Sequence, residues 1–224
     1  IGAPFSIASP SDQQASTLNF ILGNIDINAI KQAIKIDPQT YKLYHMLDSE
    51  EFSKNEQYIL VGMTELIKKA TKEKKYNSLW GNLCYLTLPY DGYVCVNTVH
   101  VNDKSACNTR ELTEIELEGR QQIEVVIDFL REYIPGFDKA VIIASGPWAG
   151  IRESRIIQGV ETITLEDIQT GRRPHNTIAL GGYPLDFHGK NANDHLSFSR
   201  VPVYGIPYGC LIPQGVVNLL VAGR

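Results

Sequence analysis

A long amphipathic segment in the middle of the chain constrains the fold most. Apolar residues recur there at helical spacing, namely Ile115, Ile123, Val126, Ile127, Leu130 and Ile134. This spacing places them on one face of a long helix, and that face must be buried against other elements. Thr113 and Glu116 have the form of a capping box and predict the helix start, and Pro135-Gly136 ends it. The β-branched run 139–145 that follows predicts a buried strand.

The residues before this helix predict a mixture of strands and helices. Residues 17–24 alternate well enough to form a strand. A short helix begins near Asp26 or Asn28 and ends at Asp37-Pro38, because the residue before proline avoids the helical region. Residues 41–47 predict another turn or two of helix.

Residues 55–74 and the run behind them predict a helix followed by a hairpin. Apolar residues recur at steps of three and four through 55–74, which indicates an amphipathic helix. The β-rich runs 83–88 and 93–101 are separated by Asp91-Gly92, a dipeptide typical of hairpin turns.

The last third of the chain predicts short elements in irregular order. Thr164 begins a short helix, and 176–180, 200–204 and 217–221 predict strands. Strands and helices alternate irregularly over the whole chain, which favours an α+β fold with a mixed, mostly antiparallel sheet. A length of 224 residues suits one large domain, and we expect 1–224 to form a single substrate-binding domain.

Composition excludes some classes of function. The net charge of −4 argues against a mainly electrostatic nucleic-acid binder, which would present a basic face. No apolar run approaches the ~20 residues that span a bilayer. Cys84, Cys95, Cys107 and Cys210 are scattered without a C-x-x-C pair, so a reducing compartment is favoured and we expect a cytoplasmic protein. Cys84 and Cys95 lie in apolar runs that predict core positions.

The stretch 150–188 concentrates residues that carry chemistry. It packs arginines, carboxylates, glycines and a histidine into segments that resemble strand ends and turns. Loops held by a rigid scaffold are where binding and catalysis concentrate. We therefore expect the functional site in this stretch.

Several motifs, in this order along the chain, resemble the FAD-dependent oxidoreductases, flavoproteins of the glutathione-reductase-like or fumarate-reductase-like class. The motifs are Gly2-Ala-Pro-Phe5 with Thr17-Leu-Asn-Phe20, 113–121, Pro135-Gly-Phe137, Gly150-Ile-Arg-Glu-Ser-Arg155 with Gly159, Leu165-Glu-Asp167, Gly182-Tyr-Pro-Leu-Asp-Phe-His188, Tyr204-Gly-Ile-Pro-Tyr208, Leu211-Ile-Pro213 and Asn218-Leu-Leu-Val-Ala-Gly-Arg224. Each motif alone is weak, but the ordered set covers nearly the whole chain.

The resemblance implies FAD in the full-length protein and a partner for this chain. Flavoproteins of this kind hold the FAD pyrophosphate on a strand–GxGxxG–helix unit, and that motif does not occur in the 224 residues. We therefore expect the substrate-side domain of a longer polypeptide, with ends near 1–8 and 216–224 that border the FAD domain. This piece alone is expected to bind FAD weakly or not at all. The implied partners are a small-molecule substrate and the remainder of its own FAD domain, with a homodimer left open.

Arg152 and Arg155 are the first candidate site residues. Either guanidinium can clamp a substrate carboxylate or an FAD phosphate with two parallel hydrogen bonds. The alternative is a structural ion pair with Glu153, Glu161 or Asp167. We expect Arg152 to bind substrate and to contribute to catalysis, and Arg155 to assist substrate binding.

His188, Tyr183 and Asp186 are the second group of candidates. A histidine that titrates near neutral pH suits general acid–base catalysis, so His188 or Tyr183 is expected to donate a proton near the flavin, with Asp186 binding substrate. The alternative is a loop histidine bonded to the backbone. His195 lies close in sequence, but its spacing to His188 fits no compact metal motif, and we expect no metal site.

Tyr208, Gly150 and Arg224 complete the candidate set. Tyr208 is expected to line the substrate pocket, with a packed aromatic as the alternative. The resemblance implies that Gly150 and Arg224 contact the cofactor. It also places an arginine where this chain has Gly209, which puts the identity of the substrate in doubt.

Two functions follow from these expectations. The first is the substrate-binding domain of an FAD-dependent dehydrogenase or reductase that acts on a small anionic organic molecule. The second is a stand-alone ligand-binding module, derived from such a domain, that performs no redox chemistry. FAD-fold sequence on either side of this piece would distinguish the two.

Overall fold

The structure is a computed structural model that describes residues 2–41, 57–73, 76, 81–185 and 200–223. Its helices are α1 (Ile27–Ile36), α2 (Thr64–Lys72), α3 (Thr109–Tyr133) and α4 (Leu165–Thr170). Its strands are β1 (Phe5–Ser6), β2 (Ser16–Thr17), β3 (Phe20–Gly23), β4 (Ile59–Gly62), β5 (Leu83–Thr87), β6 (Val94–Val96), β7 (His100–Val101), β8 (Val141–Ser145), β9 (Ile156–Ile157), β10 (Thr177–Gly181) and β11 (Tyr204–Pro207). A 3₁₀ helix covers Tyr208–Leu211.

The largest sheet has five strands in the order β4-β5-β6-β3-β8. All neighbouring strands in it run antiparallel. Strand β3, next to the edge strand β8, pairs with β6 on one side, where Phe20 faces Val96, and with β8 on the other, where Phe20 faces Ser145. The described residues therefore form the α+β fold with an antiparallel sheet that the sequence predicts.

One face of this sheet is buried and the other is half-exposed. Along β5, Leu83 and Tyr85 point into the core, whereas Cys84 and Leu86 lie on the outer face. Cys95 faces Leu86 across the strand pair and is also half-exposed. Both cysteines therefore lie on the outer face of the sheet rather than in the core that the sequence predicted.

The hairpin between β5 and β6 is confirmed. Gly92 has a φ of 74°, a conformation that glycine adopts without strain, and the Asp91-Gly92 turn precedes β6. The second run ends earlier than predicted, because His100 and Val101 leave the five-stranded sheet and pair with β2. The predicted strand 17–24 is divided in the same way between β2 and β3.

The first helix is confirmed and the second is partly wrong. Helix α1 is capped by Asp26, whose carboxylate accepts from Ala29 N, and it ends before Asp37 as predicted. The region predicted as one helix over 55–74 holds strand β4 and then α2. Met63, which lies between the strand and the helix, has a φ of 61° and so adopts a left-handed conformation that neither element contains. The predicted turns at 42–47 lie outside the described residues.

Helix α3 begins four residues before the predicted capping box. Asn108 caps it by accepting from Arg110 N and Glu111 N. Thr113 therefore lies inside the helix, where its hydroxyl donates to Thr109 O. The predicted end is confirmed, because the last helical residue is Tyr133. The apolar face of α3 is buried against the sheet as the periodicity predicts.

Two predicted buried strands are wrong. Strand β8 exists, but it is an edge strand, and Val141, Ile142 and Ile143 are each about half exposed. Residues 217–221 form no strand, and Val217 is 83% exposed. An apolar run predicts burial only when another element covers it, and the described residues place no element over these runs.

The last third of the chain is held together mainly by short antiparallel pairs. Strand β9 pairs with β1, and β10 pairs with β11. Gly159 bridges to Pro213, and Val160 N donates to Ile212 O. The predicted start of a short helix at Thr164 is confirmed, and the structure adds a capping box there, in which Thr164 and Asp167 each accept the other's backbone N–H. The predicted strand 200–204 lies a few residues later, at β11.

Within the described ranges, every helix is too short or too polar to cross a lipid bilayer. The prediction that 1–224 forms one domain stays a prediction.

Replacing Gly136 with alanine is expected to destabilise the fold strongly. Gly136 has a φ of 88°, and a Cβ there would lie 2.3 Å from the backbone oxygen of Asp26. We expect Gly136→Ala to lower the free energy of unfolding by about 2–4 kcal/mol in denaturant titrations. Gly215 has a similar φ of 72° with no atom within 4 Å, so Gly215→Ala should cost only about 1 kcal/mol. Equal losses in the two variants would show that the contact between the added Cβ and the backbone oxygen of Asp26 does not destabilise the protein.

Candidate functional site

The segment from Pro147 to Glu153 leaves strand β8 and carries the first candidate residues. Helix α3 holds its beginning. Ala149 N donates to the Glu116 carboxylate at 2.6 Å, and Arg120 Nη2 donates to Pro147 O at 3.2 Å. Glu116 and Arg120 also pair with each other one turn apart. Irregular backbone needs such partners when it runs over a packed surface, so α3 fixes the path of this segment.

Gly150 joins this segment to strand β2. Thr17 N donates to Gly150 O at 3.0 Å, and Gly150 N donates to Thr17 O at 2.6 Å. A Cβ at Gly150 would lie 3.2 Å from Thr17 Oγ1, so a glycine permits the close pairing. Three residues further on, Gln14 N donates to the side-chain carboxylate of Glu153 at 3.1 Å. This contact also joins the segment to the residues before β2. Gly150 thus has a structural role, and its contact with a cofactor stays a prediction.

The two candidate arginines differ in their surroundings. Arg152 is half-buried and its Nε atom is enclosed by protein. Arg155 is exposed and its guanidinium lies 5.6 Å from the centre of the Phe5 ring, within the range of a cation–π contact. Arg152 is therefore the better placed of the two to bind a ligand with a partly desolvated guanidinium.

The acidic residues considered as ion-pair partners each bind at least one other group. Asp167 lies 3.0 Å from Arg172, and its pKa is lowered chiefly by the backbone N–H of Thr164 and also by Arg172. Glu161 accepts from Asn176 Nδ2 at 2.5 Å. Glu153 accepts the backbone N–H of Gln14 described above.

Tyr208 lies next to a backbone turn that the Glu161 carboxylate stabilises through a hydrogen bond. Tyr208 N donates to Asn176 O at 3.0 Å, and its side chain is 42% exposed. The next residue, Gly209, donates its N–H to the Glu161 carboxylate at 3.2 Å. A Cβ at Gly209 would lie 2.3 Å from Glu161 Oε2 and 2.9 Å from Glu161 Cβ. The glycine found where the resemblance places an arginine thus has a physical reason in this chain.

The remaining candidates are not brought together by the described residues. Tyr183 follows strand β10 and is 66% exposed. Asp186, His188 and Arg224 lie outside the described residues. The roles predicted for these four residues stay predictions.

Sequence reasoning missed the residues that position the candidates. Glu116 was predicted to cap a helix, but it holds the backbone of Ala149 instead. Glu161 was considered only as an ion-pair partner, whereas it fixes the turn at Gly209. Their targets are backbone groups distant in sequence, and no local pattern marks such contacts. Burial raises the pKa of Cys210, which disfavours a reactive thiolate at this position.

One open concavity of the described surface lies away from these residues. It has a volume of about 680 Å³ and lies at the start of β8, between Tyr93, Gly136, Lys139 and Ile143. It is open and includes none of the predicted site residues, so volume alone does not mark the site. Within the described ranges, no three histidine, cysteine, aspartate or glutamate residues are grouped to hold a metal ion.

The contact between Gly209 and Glu161 can be tested by a double-mutant cycle. We expect Gly209→Ala to destabilise the protein by about 2 kcal/mol, because its Cβ would displace Glu161. In a Glu161→Ala background, which removes the two nearest atoms, the cost should fall by at least about 1 kcal/mol. Gly182→Ala serves as the control, because its Cβ would meet nothing nearer than 3.6 Å. Additive losses would rule out the contact as the reason for the glycine.

Comparison with known proteins gives one match. A family model described as FAD dependent oxidoreductase matches residues 1–224. No curated protein and no solved structure matches the chain.

Proposed function

Because the chain belongs to the FAD-dependent oxidoreductase family, we propose that it forms the substrate-side part of a flavoprotein dehydrogenase or reductase. In this proposal Arg152 binds an anionic group of a small organic substrate. The observation that carries it is the fixed backbone around Arg152, held by Glu116, by Thr17 and by the contact at Glu153. A guanidinium on a rigid segment loses little conformational entropy when it binds a carboxylate.

The sequence has no GxGxxG turn to hold the pyrophosphate of FAD, and two of the described helix N-termini are filled by their own side chains. Dinucleotide pyrophosphates bind at a helix N-terminus that follows a glycine-rich turn. The N-terminus of α1 is filled by its own Asp26 carboxylate, and that of α4 by the capping box of Thr164 and Asp167. We therefore place the pyrophosphate outside the described residues, on the remainder of the proposed FAD domain.

Exposed apolar strands support a partner of this kind. Val141, Ile142 and Ile143 of β8 and Ile178 and Leu180 of β10 are each 45–61% exposed. An apolar edge strand without charges or proline is a surface that proteins normally cover. We propose that the FAD-binding part of the same polypeptide covers it.

Arg152→Ala in the complete protein is expected to raise KM by roughly 10-fold to 100-fold while kcat changes little. Loss of a charge-assisted hydrogen bond to substrate costs about 1.5–3 kcal/mol of binding free energy. When the ground state and the transition state lose the same binding free energy, KM rises and kcat is unchanged. Arg155→Ala is the matched control and should change KM by less than about 3-fold, because its guanidinium lies over Phe5. Steady-state kinetics with the natural substrate give both values. An unchanged KM for Arg152→Ala would remove this role.

The alternative, a stand-alone binding module, is favoured by the missing pyrophosphate site. The coding sequence on either side of this chain distinguishes the two functions. The enzyme hypothesis predicts a GxGxxG unit encoded upstream. It also predicts that the purified complete polypeptide shows a flavin absorbance spectrum and that residues 1–224 alone show none. A complete reading frame without that unit, or a flavin-free complete polypeptide that does not take up added FAD, would leave the binding module.

A further inference from the structure

The concavity at the start of β8 lies outside the candidate site and is built on a fixed floor. Three turns of the chain meet there and line it. Ile25 N, in the turn between β3 and α1, donates to Gly92 O of the hairpin at 3.1 Å. Asp26 N donates to Gly136 O, in the turn after α3, at 2.9 Å. These bonds join the three turns, so the cavity is formed before any ligand enters, as small-molecule sites usually are.

One wall of the cavity is an aromatic ring beside aliphatic side chains. Tyr93, which precedes β6, and Ile143 of β8 meet over Gly23 of β3, where a Cβ would lie 2.8 Å from Ile143 Cδ1 and 3.4 Å from Tyr93 Cε1. Val141 continues this wall. Tyr93 is 37% exposed and Ile143 is 50% exposed, so a ligand can reach both. The face of an aromatic ring is partly negative, and it attracts C–H groups with a partial positive charge.

The rest of the lining carries charged groups of both signs. Asp91, Asp138 and Lys139 line the cavity and are exposed. Across the part of the chain that the structure describes, none of these three side chains makes a hydrogen bond or an ion pair. Asp26 adds a third carboxylate, whose Oδ1 accepts from Ala29 N. A carboxylate accepts hydrogen bonds and an ammonium donates them, so the cavity offers both functions to a ligand.

This combination of groups fits a sugar ring. A hexose has a face of C–H groups, which an aromatic ring can cover, and hydroxyls that donate to carboxylates and accept from an ammonium. A hydrocarbon would leave the charged groups without partners, and an anion would meet more carboxylates than ammonium groups. Lys139 distinguishes a sugar from an organic cation, because it repels a cation and can donate to a hydroxyl. The volume of about 680 Å³ lies in the range of small-molecule pockets.

We propose that this cavity binds one hexose unit of a neutral carbohydrate. Tyr93 stacks on a C–H face of the ring with Ile143 beside it, and Asp91, Asp138 and Lys139 bind its hydroxyls. The site contains none of the candidate residues described above, so it does not depend on the proposed redox function. A partner that covers β8 would border the cavity at Ile143, and the complete protein is therefore the form to test.

Saturation-transfer difference NMR on the complete protein tests for this ligand class. The probes are the methyl α-glycosides of glucose, galactose and mannose, with n-butylamine as an organic cation. We expect at least one glycoside to show saturable transfer at its ring C–H protons. Its dissociation constant should be roughly millimolar, because an open cavity covers only part of a small ligand. Saturable transfer to n-butylamine alone, or to none of the probes, overturns the proposal.

Variants of the two hairpin tyrosines locate the binding. Tyr93→Ala should weaken the affinity for the bound glycoside at least about tenfold, whereas Tyr93→Phe should keep it within about threefold because the ring remains. Tyr90→Ala is the matched control, because it removes a 75% exposed ring of the same hairpin that does not line the cavity. Its affinity should be unchanged. A glycoside that binds equally well to Tyr93→Ala and Tyr90→Ala occupies another site and overturns the proposal.

Charge changes test the polar contacts even if Tyr93→Ala does not fold. Asp91→Asn keeps the shape of the side chain and removes its charge, so the affinity should fall about threefold, since hydrogen bonds to charged groups are stronger. Lys139→Met removes the donor and should have an effect of similar size. Glu124→Gln makes the same charge change as Asp91→Asn at an exposed position of α3 and should leave the affinity unchanged. If neither Asp91→Asn nor Lys139→Met weakens binding relative to Glu124→Gln, the assigned contacts are wrong and the proposal is rejected.

Discussion

The site depends on one constraint, which is that buried and irregular backbone must find hydrogen-bond partners. Helix α3 supplies many of them. Its apolar face packs on the sheet, while polar residues near its middle reach backbone groups of other segments: Glu116 holds Ala149, and Gln122 holds both backbone groups of His100. These side chains replace the neighbouring strand that a regular sheet would provide. The same helix thus closes the core and sets the path of the chain through Gly150 to Arg152.

The sequence predicted elements well where local signals were sufficient. The end of α3 at Pro135-Gly136, the turn at Asp91-Gly92 and the start of α4 at Thr164 are local, and all three are confirmed. The helix predicted over 55–74 failed because its apolar spacing also fits a strand followed by a helix. The deciding feature is the left-handed conformation of Met63, which no residue pattern indicates for a methionine.

The candidate site was predictable only in part, for the same reason. The stretch from Gly150 to Arg155 was recognised from its residues, and the structure distinguishes its two arginines by burial and by the ring of Phe5. Residues such as Glu161 and His100 gain their place through partners 48 and 22 residues away in sequence. Their chemistry is visible in the sequence, but their positions follow from strand register, which depends on the whole sheet.

The part of the chain up to Ala149 and the part from Gly150 onward are stabilised by different interactions. This difference indicates where a partner would cover the protein near the site. Up to Ala149, large apolar residues fill a continuous core. From Gly150 onward, the buried positions among the described residues are small or cyclic, namely Gly159, Gly205, Pro207, Gly209 and Pro213. Backbone pairs such as that of Gly159 with Pro213 contribute little net stability in contact with water. Several apolar side chains of this part are exposed, among them Ile156, Val160 and Leu180, so a covering partner would supply burial that the part lacks. Arg152 lies near the junction of the two parts, where such a partner would meet a segment already fixed by α3.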